Sequence, residues 1–575
     1  MKYSRWFFSV VLTPISALDT MDLSGKGVTK MKNSDDIKKK RKLKTAELIG
    51  SGTIALLCLS PFISRLIFRS ISIDTEMMIN TPERMLTSWL YHERPGLVLS
   101  KYLFGQTSFH YEIEIVGTVV FLMLFCILMA AAAGKILNAA EAEQKRGRNA
   151  GIQAALMKPF VWAFPFLFLT HPALTEQLHF LLQSMEIAWA MLICLAACLL
   201  TFTALWNRRP VCLAAAVILM AWSFSSYQSL MALYIAVCAG MFLLYFDRYK
   251  GEERKAGFWW RLGVLHVLIF AVGFLLSRAA AMVGLYVSTG SVESTAYVAG
   301  MVKWGSQPVS QCLRELFHYG KQILLGQGVH YTLAYLTAAV GTILILGISL
   351  LSGKKAGRKA PPGFSAYLIA GVILYLSPFL LPLYLGGADQ VRAQLALAFV
   401  IAFGWCYLIL LAFRLAEELR PQRERHSSMA LAAAACAVAL LFGAVQGGQT
   451  LRLTYTAYNV YRQECALSEA MVEAIRQTGA PQNVPVQLVG QITPAFSDEM
   501  VRGETIGWSF YEWDSDKPYG SSERILGLWQ TLGYEYQLIS QDAADAGRER
   551  AASMPCWPET GSVSWDGSTV IIRLS

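Results

Sequence analysis

Several short polar stretches bring together residue types that can do chemistry. The richest holds two carboxylates two positions apart, in Ile73-Asp74-Thr75-Glu76. Trp89 and His92-Glu93-Arg94-Pro95-Gly96-Leu97 follow, with Lys101 just beyond. Further along lie His171-Pro172 with Glu176, then Ser225-Ser226-Tyr227-Gln228, then Asp389 with Arg392. A positioned carboxylate can take a proton from a hydroxyl as a bond forms. An arginine presents a planar fork of donors that suits phosphate. Asp74 and Glu76 would share a face on a strand and diverge on a helix. For any of this to become a site, groups from separate loops must converge on one face.

The elements that must position these groups are set by composition. The chain has 575 residues, 54% hydrophobic and 16% charged, against about 25% charged in a soluble domain. Its mean hydropathy is +0.41. These values exclude an ordinary water-soluble enzyme, a disordered regulator and a disulfide-stapled secreted domain. A bilayer core needs about 20 apolar residues per helix. On that measure eleven spans are expected, near 46–68, 112–134, 152–170, 179–204, 211–226, 228–246, 262–286, 331–351, 364–385, 393–413 and 428–447. The third and fifth are short. The expected architecture is a mainly α, polytopic membrane protein of about 11 helices with a small C-terminal α/β domain. The lipid bilayer is its first partner.

Charge placement orients the chain. From residue 448 onward there are 9 Lys/Arg against 16 Asp/Glu, a net charge of −7, so the first 447 residues carry +17 of the formal +10. The basic clusters fall in alternate loops: Lys38–Lys44, Lys135 to Arg148, Arg208-Arg209, Arg248 to Arg261, Lys354 to Lys359 and Arg414 to Arg425. The positive-inside rule then puts the N-terminus in the cytoplasm and the acidic C-terminal domain outside. It also accounts for the basic balance without nucleic acid. Residues 1–20 imitate a signal peptide, but cleavage would leave Lys38–Lys44 outside. They are read instead as part of a disordered cytoplasmic segment, 1–45. The membrane domain is 46–447, with long outer loops at 69–111 and 287–330, and the outer domain is 448–575.

Within the outer domain, residues 463–478 have helical spacing, 484–489 and 534–539 read as strands, and the pair Ser521-Ser522 reads as the cap of a helix at 521–532. Residues 563–573 read as a hairpin turning at Asp566-Gly567. Cys465 and Cys556 could bridge there. No metal signature appears, and no metal ligand is assigned. Glu112 and Glu114 open the second span and read as wet boundary residues.

The order Ile73-Asp74-Thr75-Glu76, Trp89, Arg94-Pro95-Gly96-Leu97, Ser225-Ser226-Tyr227-Gln228-Ser229 and the ending Met554-Pro-Cys-Trp-Pro-Glu-Thr-Gly-Ser-Val563 resembles the membrane glucosyltransferases of the phage serotype-conversion type II, from about residue 46 to the end. Two positions depart from that pattern. Glu93 stands where the family has a glycine before the arginine, and Asp-x-Glu stands where many members have adjacent aspartates. The resemblance implies a GT-C-type hexosyltransferase in the bacterial inner (plasma) membrane. Its donor would be a polyprenyl-phosphate sugar, with glucose expected, and its acceptor a cell-surface glycan. Any need for a divalent cation is left open.

That chemistry assigns Asp74 as base, with Glu76 and Glu176 as further catalytic carboxylates. It assigns Arg94, Arg392 and Lys101 to the donor phosphate, and Trp89, His171, Tyr227 and Gln228 to the substrate. Blander readings stand beside these: carboxylates at solvated helix starts, arginines snorkelling at the interface, polar residues filling turns. Two other function classes compete. A transporter or flippase of lipid-linked sugar predicts charges inside the spans and an internal repeat; the spans read as nearly charge-free and no repeat is evident. A non-catalytic envelope glycan assembly protein would depend on the outer domain alone.

Overall fold

The computed structural model describes residues 34–144, 159–249, 254–295, 297–355, 359–418 and 422–575. Residues 1–33 of the expected N-terminal segment lie outside these. The part of that segment that is described corrects the expectation of disorder, because a helix already runs from Ser34 to Cys58.

Among the described residues eight helices are long and apolar enough to cross a bilayer: Tyr111–Leu137, Leu181–Asn207, Leu230–Tyr249, Ala256–Thr289, Ala334–Lys355, Phe364–Leu385, Leu395–Ala416 and Met429–Gln477. A ninth results if Thr45–Cys58 and Ser60–Leu66, bent by 53°, form one span. Pro61 sits at the start of the second piece, and its missing N–H and fixed ring break the helical ladder there. The remaining two of the eleven expected spans are short helices, Pro159–Leu169 and Pro210–Ser226. The count by length is therefore eight or nine rather than eleven, although every expected span coincides with a helix. The molecule is mainly α and polytopic.

Leu181–Asn207 and Leu395–Ala416 are wrapped on all sides, whereas Ala256–Thr289 and Ala334–Lys355 leave most of their apolar surface for lipid. Lipid removes the hydrophobic drive between helices, so packing relies on close approach at small residues. A Cβ at Gly117 would lie 2.1 Å from Met185 Sδ, and one at Gly240 would lie 2.9 Å from the Phe403 ring.

Charge does enter the membrane part, which corrects the reading of charge-free spans. Lys101, on the short helix Pro95–Phe104, pairs with Glu114 and, at 3.0 Å, with Glu186; all three side chains are 0% exposed. Glu114 also accepts from the Met185 N–H at 3.2 Å. Of the two expected wet carboxylates only Glu112 is exposed, paired with Arg69. Glu114 was misread because its place at a helix start gives no sign that the 95–104 segment folds back against it. At another helix end Asp247 pairs with Arg414 at 2.7 Å.

The last membrane helix does not stop at the interface. Gln422–Gln477 is one helix of 56 residues, about 84 Å at 1.5 Å per residue, and its C-terminal half becomes part of the outer domain. That domain has a four-stranded sheet, β1 (Pro485–Val489), β2 (Gln537–Leu538), β3 (Val563–Trp565) and β4 (Val570–Arg573), in the order β2-β1-β4-β3. β1 is parallel to β2 and β4, and β3 and β4 form the hairpin. At its turn Asp566 Oδ1 accepts from the N–H groups of Ser568 and Thr569, each at 2.8 Å.

Three details differ from expectation. The 534–539 strand shrinks to two residues. Ser521 makes no capping bond; instead Ser522 ties the helix to β1 through the N–H and carbonyl of Leu488. A helix at Gln541–Ala551 carries too polar a sequence to announce itself. Cys465 and Cys556 are free thiols. Ile73 of the first outer loop is buried among Val486, Leu488, Trp529 and their neighbours, so that loop is anchored in the outer domain's core.

Candidate active site

The first loop is pinned by Ile73, and the chain then turns sharply. Asp74 has φ 71°, in the left-handed region, and precedes the helix Thr75–Asn80. Asp is one of the few residue types that visits this region readily. Ser72 and Thr75 brace the turn through a backbone bond of 3.0 Å and a hydroxyl contact of 3.1 Å. The turn brings Asp74 and Glu76 to the same cation, an outcome that a regular helix would not give. Arg524 Nη1 lies 2.8 Å from Asp74 Oδ1 and 2.8 Å from Glu76 Oε1, while its Nε holds Asp514 Oδ2 at 2.9 Å. Asp74 is 37% exposed and Glu76 1%. Burial pushes the Glu76 carboxyl up to about 7, against the downward pull of Arg524.

Arg94 leads into the helix Pro95–Phe104, and its N–H bonds the Trp89 carbonyl at 2.9 Å. Its guanidinium lies 5.2 Å from the Tyr227 ring centre and 5.8 Å from that of Tyr297. Arg94 Nε is buried with no hydrogen-bond partner among the described residues. Burial and the neighbouring Arg392 hold its proton affinity below the usual arginine range, while the two tyrosines and Asp74 oppose that. Arg392 sits over the Phe180 ring at 4.6 Å. Its Nη1 donates to Thr505 Oγ1 at 3.1 Å and its backbone N–H to Glu504 Oε2 at 3.2 Å. Gln228 donates to the His92 carbonyl at 3.3 Å, and the His92 ring packs on Tyr297 at 4.7 Å. Segments far apart in the chain thus supply one neighbourhood: a carboxylate pair at one side, two arginines that have no carboxylate salt-bridge partner among the described residues, and tyrosine walls between.

The family described as Glucosyl transferase GtrII matches this chain over residues 63–409. The chain belongs to that family. It is a membrane-embedded glucosyltransferase. No curated protein and no solved structure matches it. The matched region holds Asp74, Glu76, Arg94, Tyr227 and Arg392, whereas Glu504, Thr505, Asp514 and Arg524 lie beyond it.

The departure at Glu93 has a physical reason in this glucosyltransferase. The position has φ 61°, where glycine is at ease and a longer residue is strained. Here the Glu93 carboxylate is gripped by Arg278, with one contact at 2.7 Å, and by Ser294 at 3.2 Å, which offsets the strain.

Other expected site residues are spent on holding the transferase together. Glu176 is fully buried, and its oxygens accept from the N–H groups of Glu504, Thr505 and Ile506 at 2.9, 3.1 and 3.3 Å. With the side chain 0% exposed and both oxygens already accepting, Glu176 is closed to an acceptor hydroxyl from solvent. His171 caps the helix Pro172–His179 by accepting from the Ala173 N–H at 3.2 Å. Burial pushes it down to about 3, so it is neutral. Lys101 is enclosed by its two glutamates. Trp89 is 4% exposed, within the main hydrophobic core. No group of three His, Cys, Asp or Glu among the described residues could hold an ion.

Sequence reasoning missed Arg524, Glu504 and Tyr297. It noted Asp389 but not its role. Asp389 is half-buried against Tyr319 and, at 2.7 Å, Gln394, and desolvation pushes it up to about 7. None of these carries a sequence signature; only the fold brings them near the first loop.

Proposed function

We propose that the protein transfers glucose from a polyprenyl-phosphate donor to a cell-surface glycan on the outer face of a bacterial plasma membrane, as a GT-C-type enzyme. The acceptor oxygen attacks the anomeric carbon as its proton passes to Asp74. The bond from that carbon to the phosphate oxygen breaks, and polyprenyl phosphate leaves with the bonding pair. Arg94 and Arg392 meet the negative charge that grows on the phosphate. Tyr227 and Tyr297 line the space between. The observation that carries this reading is the Arg94 guanidinium: buried at Nε without a partner, walled by two rings, and in electrostatic reach of both Arg392 and Asp74. An unpaired buried cation suits an anionic ligand.

The orientation with the N-terminus in the cytoplasm and the outer domain outside is supported by segregation. The site groups all come from loops that lack the basic clusters, while Arg254 packs on Trp206 and Phe258 at 4.3 and 4.6 Å among the basic loops.

The test uses full-length protein in nanodiscs, polyprenyl-phosphate glucose and glycan extracted from the source cells, with release of polyprenyl phosphate as readout. Asp74→Asn is expected to lower turnover by about 10²–10⁴, the usual contribution of a general base, with unchanged thermal unfolding. Normal turnover by the folded variant removes Asp74 as base.

A further inference from the structure

We propose that Arg524, supplied by the outer domain, is the positioning residue of the catalytic centre, holding the Asp74 and Glu76 carboxylates side by side so that the membrane part is incomplete without that domain. The proposal rests on the reading of Asp74 as base. It adds a residue that lies outside the family match and 450 positions from Asp74 in the chain.

The geometry is specific. A single nitrogen, Nη1, touches both carboxylates at 2.8 Å, and Nε anchors the guanidinium plane on Asp514 at 2.9 Å. Lys517 holds Asp514 from the other side at 2.8 Å. Two adjacent carboxylates repel when both are ionised, and a guanidinium between them removes that penalty. Lysine, a point charge, could meet the pair but not keep the plane.

The surrounding structure is built to deliver this side chain. The helix Ser522–Thr531 lies against Thr75–Asn80 at Gly527, where a Cβ would come 2.9 Å from Glu76 Cγ. Asn80 donates to the Gly527 carbonyl at 2.8 Å, and Arg84 meets Glu523 at the rim at 3.4 Å. Glu464, on the long helix Gln422–Gln477, is the further acidic group in electrostatic reach of Glu76. Arg524 is therefore the one cation in direct contact with Glu76 among the described residues, and it faces Asp74 and Asp514 as well.

The sign of the pH effect follows. Burial already raises Glu76 and Arg524 lowers it. Removing the guanidinium keeps the proton on to higher pH. Arg524→Gln, Arg524→Lys and Gly527→Ala are compared with wild type by infrared titration of the protonated-carboxyl band, with Glu76→Gln assigning the band. Turnover of polyprenyl-phosphate glucose is followed from acid to alkaline pH. In R524Q the Glu76 band is expected to persist about one to three pH units higher, the usual effect of one adjacent opposite charge, and the acidic limb of the rate is expected to move with it. R524K restores part of the shift, and G527A, which displaces Glu76 while keeping the arginine, moves the band in the same direction by less. Arg550→Gln, which breaks an ion pair on the distant hairpin, leaves both unchanged.

An unmoved Glu76 band in folded R524Q, or a rate lowered by the same factor at every pH, overturns the proposal. If R524Q fails to fold, an unmoved band in both R524K and G527A does so. The titration needs no substrate, so it decides the role of Arg524 even if the proposed donor proves inactive. Loss of turnover in D74N with an unmoved band in R524Q sinks the positioning role alone.

Discussion

Two groups of charge in this molecule are treated in opposite ways, one sealed and one partly buried. Around Lys101 the protein supplies its own counter-charge: Glu114 and Glu186 close on the ammonium, and none of the three has any exposure. Around Arg94 and Arg392 it does not. Neither guanidinium has a carboxylate in salt-bridge contact among the described residues, and their neighbours are aromatic rings and a threonine hydroxyl. Charge in a membrane protein is costly in both settings. Where the compensation is internal, the cluster holds structure. Where it is left out, the cluster suits the anionic donor proposed above. The family assignment says that a glucosyl group is moved; the contrast between the clusters supports the proposal that Arg94 and Arg392 receive its phosphate.

The most severe way to break the comparison is to unbalance the closed cluster. Lys101→Met leaves two buried carboxylates with no cation and is expected to cost about 3–5 kcal/mol of stability, the range for removing one partner of a buried pair. Replacing Lys101, Glu114 and Glu186 together by Met, Leu and Leu is expected to restore most of it. Thermal unfolding of the purified protein is the measurement. A stable, fully active K101M enzyme would show that the Pro95–Phe104 helix, and Arg94 at its start, do not depend on the triad.

The open cluster is expected to respond in the other currency. Arg94→Ala and Arg392→Ala should each lower turnover by about 10²–10³, as removal of one transition-state donor does, while the melting temperature changes little because neither guanidinium has a carboxylate salt-bridge partner among the described residues. Lysine at either place should recover part of the rate, since it supplies charge without the planar fork. A fall in melting temperature that matches the fall in rate would make these arginines structural and erase the distinction drawn above.

The sequence foretold the parts of this arrangement that depend on local composition. A run of about 20 apolar residues must become a helix in lipid, because backbone groups have no other partner there. Hence each expected span matches a helix, and the two short ones were recognisably short. The Asp566-Gly567 turn was legible for a similar reason, since its bonds close within four residues. What stayed hidden depends on contacts across hundreds of positions. Arg524 sits in an ordinary amphipathic helix, and nothing in Ser521-Ser522-Glu523-Arg524 announces that it reaches the first loop. Glu176 was chosen as a reactive carboxylate because of its type and its loop. The groups that occupy it are backbone N–H donors, which every residue has and no composition reveals. Glu114 was taken as wet because helix starts usually are. The charged spans bear on the transporter reading too: the triad is sealed, with no exposure at any of its three side chains.

Glu176 gives the smallest of the expected effects and a clean sign. Its carboxylate gathers the N–H groups of residues 504–506 and so places Glu504 and Thr505 against Arg392. Burial pushes its carboxyl from 4.5 to about 7, and the N–H donors from the outer domain oppose the rise. A carboxyl raised in the folded state contributes stability that is full below its ordinary value and is lost as pH climbs through the raised one. The folded state as a whole should therefore lose stability between about pH 4.5 and pH 7 and level off above, while the N–H bonds from 504–506 limit the loss. Glu176→Gln turns an amide NH2 toward N–H donors, so at least one buried donor goes unmet, at a cost of about 1–3 kcal/mol, and the pH dependence disappears. Hydrogen exchange at residues 504–506, corrected for the intrinsic rate at each pH, reads both. Turnover in E176Q should fall only as far as Arg392 loses its place, less than in R392A. A loss as large as that of D74N would return Glu176 to the chemistry from which its three N–H contacts remove it.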